Sequence, residues 1–240
     1  MALTNVLLLS QIAGYVFGLI LSLCIIVPLS MHQDEFNGHC LLFSKGTWQE
    51  EDGQLLVMWA SRAYCNYVIV VGILMFIVCC IQIYRLSVFV CKGIDSSFLS
   101  AFIEAVGCVI FCGLAITAAL IVTLGFMTWC QNIVERFPSC EDATGQDIDK
   151  KDQISTHGFY IELGTAQFGA WALFALWVGL AVFSTLKVCR YHQLQNIQVS
   201  MYRERQRLVN EPPGRSTPPI DSIHNSNYPH SIDNSKITAN

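Results

Sequence analysis

Charge is what this chain has least of. Only 13% of its 240 residues are Asp, Glu, Lys or Arg, against 53% that are hydrophobic, and the mean hydropathy is +0.45. Soluble domains carry about 25% charged residues, so the composition argues against a water-soluble fold from the outset. Sites of chemistry are missing as well. No H-E-x-x-H or C-x-x-C supplies a metal-ligand spacing, and neither G-x-S-x-G nor a P-loop occurs. No N-x-S/T sequon is present, no Gly follows Met1, and no C-a-a-X box ends the chain. The reading is of a chain that is not an enzyme, with no catalytic residue, no cofactor, no metal site and no nucleic-acid partner.

What is abundant is apolar sequence in long runs. Four blocks stand out: 6–29, 64–84, 99–129 (with its uncharged stretch from Ala105 to Trp129) and 163–186. Crossing the hydrocarbon core takes about 20 helical residues, and each block meets that length. None alternates polar with apolar, so barrel strands are excluded. The first block has no basic segment before it and no A-x-A-like cleavage site, so it is read as a retained span and not a signal peptide. The expected fold is an all-α membrane protein, a four-transmembrane-helix bundle over residues 1–190. A small disulfide-braced extracellular or luminal region is expected from outer loops 30–63 and 130–162.

Orientation rests on basic residues and cysteines. Seven Lys and Arg near the membrane (Arg85, Lys92, Lys187, Arg190, Arg203, Arg205, Arg207) lie in the 85–98 loop and the tail, against five (Lys45, Arg62, Arg136, Lys150, Lys151) in the other connections. That bias places both termini in the cytosol. Of 11 cysteines, Cys40, Cys65, Cys130 and Cys140 lie in or beside the two outer loops. An even number per loop suits disulfides in an oxidising lumen. Three pairings exist, and pairing within each loop is the simplest. Cys24, Cys108 and Cys112 read as apolar packers. Cys79, Cys80, Cys91 and Cys189 read as cytosolic-face candidates for palmitoylation or as ordinary thiols.

In order along the chain, "IVPLS", "GHCLLF", "FVCKG" followed by "SSFLSAF", "GFMTWC", "SCED" and "AQFGAW" resemble the transmembrane protein 179 family. The resemblance runs from Met1 to about Arg190. It implies a multi-pass protein with four helices, no established catalytic activity and so no catalytic residues to carry over, and loop cysteines at the places of Cys40, Cys65, Cys130 and Cys140. A looser likeness is to claudin-type and physin-type tetraspans. The claudin signature, a Trp ahead of two close cysteines, is absent, because Trp48 lies between Cys40 and Cys65.

Within the first outer loop, "HCLLF" and "QLLVMW" flank "SKGTWQEEDG" and predict a β-hairpin. The second outer loop carries seven acids (Glu135, Glu141, Asp142, Asp147, Asp149, Asp152, Glu162) against three bases, and reads as solvated. Gly14, Gly18 and Ser22 form a small face suited to close helix packing, inside the bundle or between copies. Ala115, Ala118 and Ala119 do the same on the third span. Polar residues in the spans are Gln11, Gln82, Glu104, Thr117, Thr123 and Gln167. Glu104 is the acid among them and is expected to snorkel, within reach of Arg85 or Lys92. His32, His39 and Cys40 lie near one another without a metal-ligand spacing, and His39 reads as a loop surface residue and not as a ligand.

The tail divides at Asn210. Residues 191–209 place Leu194, Ile197, Met201 and Leu208 at helical spacing among basic residues and read as a juxtamembrane helix drawn to anionic lipid. Residues 210–240, rich in Pro, Ser and Asn, read as disordered. The expected role is that of an accessory, scaffolding or trafficking partner of other membrane proteins. The alternative is an ion or small-solute pathway through the bundle or an oligomer.

Overall fold

The computed structural model describes residues 2–50, 55–92, 98–145 and 156–210. Four long helices dominate: α1 (Ala2–Glu35), α2 (Ala63–Lys92), α3 (Phe98–Val134) and α4 (Phe159–Asn210). All four are long and apolar enough to cross a membrane. Each apolar run continues into helix at its flanks, because a backbone leaving hydrocarbon keeps its hydrogen bonds satisfied by staying helical. α3 has 37 residues, about 55 Å at 1.5 Å per residue, well over the ~30 Å of hydrocarbon. Residues up to Gln193 form one compact unit and those from Leu194 a second.

The bundle interior is built from small residues opposite large ones. A Cβ on Gly14 would lie 3.0 Å from Leu180, and one on Gly18 only 2.8 Å from Cys79 Sγ and 3.3 Å from Leu176. The Gly14–Gly18–Ser22 face of α1 is therefore occupied inside the chain by α2 and α4. Ser22 is fully buried and returns its hydroxyl to its own helix, donating to the Gly18 carbonyl. Ala115, Ala118 and Ala119 line the interior of α3. Trp177 fills the centre: its ring stacks on Phe111 at 4.8 Å and meets Tyr15 edge-on at 6.2 Å. Outward-facing Phe17, Ile20, Val70, Ile110 and Phe168 are exposed, as lipid-facing positions require.

Between α1 and α2 stands a two-stranded antiparallel hairpin, β1 (Cys40–Trp48) and β2 (Leu55–Ala60). The strand β1 is longer than its apolar run foretold. "SKGTW", expected in the connector, is strand, because Gly46 lets Leu55 close over it; a Cβ there would sit 2.6 Å from Leu55. The pairing is interrupted. Cys40 faces Ala60, yet the next partners are Lys45 and Met58, so Leu41 to Ser44 bulge opposite Trp59. Within the bulge Phe43 takes a φ of 65°, an uncommon state for a bulky residue, and packs on Tyr64 at 4.8 Å. Ser44, fully buried, repairs the broken ladder. Its hydroxyl donates to the Cys40 carbonyl at 2.8 Å and accepts from Ala60 N–H at 3.1 Å.

The hairpin lies on the end of α3. Leu42 sits directly on Gly125, where a Cβ would meet the Leu42 Cβ at 2.7 Å. Trp48 Nε1 donates to the Asn132 carbonyl at 2.8 Å, and Asn132 Nδ2 returns a bond to the Ser44 carbonyl at 3.4 Å. Arg136 lies over the Trp48 ring, 5.2 Å from its centroid. Overpacking this contact by one methyl should cost about 1–3 kcal/mol. Gly125→Ala is expected to lower the thermal midpoint of the detergent-solubilised protein. Gly107→Ala, where nothing lies within 4 Å of a new Cβ, should leave it unchanged.

Candidate functional site

A bilayer interior supplies no water, so each polar side chain in a span must find a partner in the protein. That requirement is met most elaborately around Glu104. Its carboxyl group is buried in the second turn of α3, at 4% exposure. Gln11 of α1 donates from Nε2 to Oε1 at 3.1 Å. Lys187 of α4 donates from Nζ to Oε2 at 3.3 Å, and the Lys187 side chain is itself only 11% exposed. One charge meets one charge, and three helices are joined at a single carboxylate.

The network continues toward the middle of the bundle. Gln11 Nε2 also lies 3.5 Å from Ser184 Oγ. Ser184 is 3.6 Å from Cys108 Sγ, and Cys108 is 3.8 Å from the Tyr15 hydroxyl. Beyond Tyr15 stand the rings of Trp177 and Phe111, and among the described residues no hydrogen bond carries the file past them. Chemically, it can hold helices in register. A nucleophile aligned with a general base is not found in it.

Two expectations about Glu104 are corrected by this geometry. The carboxylate does not snorkel, because it is enclosed by α1 and α4. Nor does it reach Arg85 or Lys92: Arg85 turns to Gln82 Oε1 at 3.0 Å and Ser100 Oγ at 2.7 Å, tying α2 to α3. Lys187 is 83 residues from Glu104, and no local spacing pairs them.

The other singled-out residues fall in three places. Cys40 is bonded to Cys65 with their Cα atoms 5.9 Å apart, and Cys130 to Cys140 at 5.3 Å. The first bond fastens β1 to the start of α2; the second closes the loop after α3. Among the thiols proposed for acylation, Cys79 is buried against α1, whereas Cys80, Cys91 and Cys189 are exposed. Burial removes Cys79 from that set. Thr117 shares a 2.6 Å hydrogen bond with Tyr67, and Thr123 accepts from Trp171 Nε1 at 3.0 Å, so these hydroxyls too serve helix contacts. His39 stacks on Trp59 at 4.9 Å.

Of the acidic loop, Glu135, Glu141 and Asp142 are exposed. Asp147, Asp149 and Asp152 lie outside the described residues, as does the tail from residue 211. Among the described residues no group of three His, Cys, Asp or Glu is placed to hold a metal ion. In the second unit, Leu194, Ile197 and Met201 are exposed, as are Arg203, Arg205 and Arg207; nothing is described of the Leu208 side chain.

A family model described as the Transmembrane protein 179/179B Claudin domain matches residues 7–209. The chain therefore belongs to that family, a class of four-span membrane proteins. The matched range takes in all four membrane-spanning segments, the hairpin and both disulfides. The claudin description holds for the domain even though Cys40 and Cys65 are 25 residues apart. No solved structure matches the chain.

The tie makes Glu104 structural, where a snorkelling carboxylate would be dispensable. Glu104→Gln leaves the Lys187 cation buried without its counter-charge, at a cost of about 1–3 kcal/mol or more. A lower thermal midpoint and reduced expression are expected. Adding Lys187→Gln should recover most of the loss, because two neutral amides can bond each other. A silent single substitution would remove the tie from the account.

Proposed function

We propose that the protein is a non-enzymatic accessory, scaffolding or trafficking partner of other membrane proteins. The observation that carries this reading is that Glu104, the acid in the spans, is already engaged inside the chain. It is answered by Lys187 and Gln11, so it holds no surplus charge for a passing ion. What the molecule offers outward is surface: the hairpin with exposed Leu56 and Met58, and apolar helix faces turned to the bilayer. Both suit docking to neighbours. The polar groups around Glu104 do internal work, and among the described residues of that network none is arranged as nucleophile and base.

In this reading both termini are cytosolic and the hairpin side is extracellular or luminal. Two disulfides on the hairpin side support it, since such bonds persist in oxidising compartments. The positive bias of the opposite side supports it too. Exposed Arg190, Arg203, Arg205 and Arg207, with the apolar positions Leu194, Ile197 and Met201, suit anionic lipid at the cytosolic surface. Lys187 is excluded from that role by its bond to Glu104.

The second reading, an ion or small-solute pathway, is favoured by one feature, the file from Glu104 through Gln11, Ser184 and Cys108 to Tyr15. It stops at Trp177 and Phe111, short of the hairpin side, which is why the accessory reading is preferred. The purified protein in liposomes should pass no ions above the empty-vesicle level. Proximity labelling in native membranes should recover a reproducible set of membrane proteins. A flux lost in Glu104→Gln, with the protein still inserted, would replace this reading with the pathway.

Sidedness is tested separately. Epitope tags at Met1 and Asn240 should be hidden in intact cells and stain after permeabilisation. Staining of either without permeabilisation would invert the placement.

A further inference from the structure

On the hairpin side, the C-terminal end of α1 meets the N-terminal end of α4 around His32. The imidazole is fully buried and packs on Phe36, with ring centroids 4.2 Å apart. Its Nδ1 lies 3.7 Å from Glu162 Oε2, just beyond hydrogen-bond distance. Neither His32 nitrogen has a hydrogen-bond partner, and neither does Glu162 Oε2 or Glu35 Oε2, although all four atoms are shielded from solvent. Buried polar atoms without partners are rare in folded proteins, and four at one joint call for an explanation.

The charged neighbourhood is small. On α1 it comprises His32 and Glu35; on α4, Glu162. The segment leading into α4 adds His157, within electrostatic reach of Glu35 along with Glu162 and His32. From β2 the nearest ring is Trp59, on Phe36, with His39 stacked on it. α2 contributes the neutral Asn66, bonded to Gln33 at 3.1 Å. One buried imidazole thus lies beside Glu162 and within electrostatic reach of Glu35, and among the described residues no Lys or Arg forms an ion pair with either carboxyl group.

We propose that His32, Glu35 and Glu162 form a proton-operated latch that holds the end of α1 against the start of α4. A proton taken from water onto the imidazole gives His32 two N–H donors. Nδ1–H then donates to Glu162, and the cation separates the two carboxylates. With the proton returned to water, the imidazole keeps a single N–H and its positive charge no longer offsets the mutual repulsion of Glu35 and Glu162. The sign follows. Protonated His32 gains a partner in the closed joint, so the latch holds when the imidazole carries the proton and loosens when pH rises and the proton leaves. What loosens with it is the entry to α4, where Glu162 N–H caps onto the Gly158 carbonyl at 3.0 Å and Gly145 N–H reaches the Thr156 carbonyl at 3.4 Å.

Amide hydrogen exchange of the full-length protein in lipid nanodiscs tests this, with rates at pH 5.5 and 7.5 corrected for intrinsic chemistry. Peptides covering 30–38 and 157–164 should exchange roughly tenfold faster at the higher pH, the worth of one charge-assisted contact. A peptide covering 98–110, at the other end of the bundle, should show no such ratio. His32→Gln and Glu162→Gln should each abolish the pH dependence, whereas His39→Gln and His157→Gln should keep it. A wild-type ratio near one, or a ratio that survives His32→Gln, would overturn the latch. So would its loss in His157→Gln with His32 intact.

Discussion

A carboxylate inside a bilayer must meet a cation or surrender its charge, and the architecture turns on how Glu104 meets Lys187. The two residues come from α3 and α4, and Gln11 reaches the same carboxylate from α1. Two donors from two other helices set the relative rotation of all three. Apolar packing alone does this weakly in a membrane, because lipid tails compete for the same surfaces. Once rotation is set, Gly14 and Gly18 face Leu180, Leu176 and Cys79, and Trp177 lies between Phe111 and Tyr15. The small-to-large matching of the interior presupposes that register.

The hairpin depends on the bundle in turn. Two strands alone are marginal, and this pair is further weakened by the bulge at Leu41–Ser44. It persists because three devices act together: the Cys40–Cys65 bond to α2, the Ser44 hydroxyl that bridges the broken ladder, and the seat of Leu42 on Gly125. The positive φ of Phe43 is the local consequence of burying Leu41 and Leu42 together while Ser44 points back to the strand. A regular strand would alternate them, sending one outward.

Much of this was legible in the residues. Apolar run length identified four spans, because hydrocarbon thickness fixes helix length. Turn residues between "HCLLF" and "QLLVMW" marked the hairpin, and the cysteines beside each loop suggested the pairing that the structure contains. Gly14, Gly18 and Ser22 were recognisable as a packing face. The partners were not legible. Lys187 reads as one more basic residue at a span end, and only the rotation of α4 brings it to Glu104. Cys79 and Cys80 are adjacent in sequence and differ only in helix face, so the burial of one and exposure of the other follows from α1 lying on that side. Gly125 carries no local signal that a strand will rest on it. His32 and Glu162, 130 positions apart in sequence, belong to the same class of long-range pairing.

The role of Glu104 as the point that fixes helix rotation is tested most directly by exchanging the charges. The double variant Glu104→Lys/Lys187→Glu and each single reversal would be compared by thermal denaturation in lipid nanodiscs. The Gln11 amide presents both a donor and an acceptor, its Oε1 being without a hydrogen-bond partner, and can serve either arrangement. Each single reversal places like charges together in the bundle and should sharply lower the midpoint or prevent insertion, while the exchange should regain most of the wild-type midpoint. An exchanged protein no more stable than the worse single reversal, or a single reversal as stable as wild type, would contradict the claim.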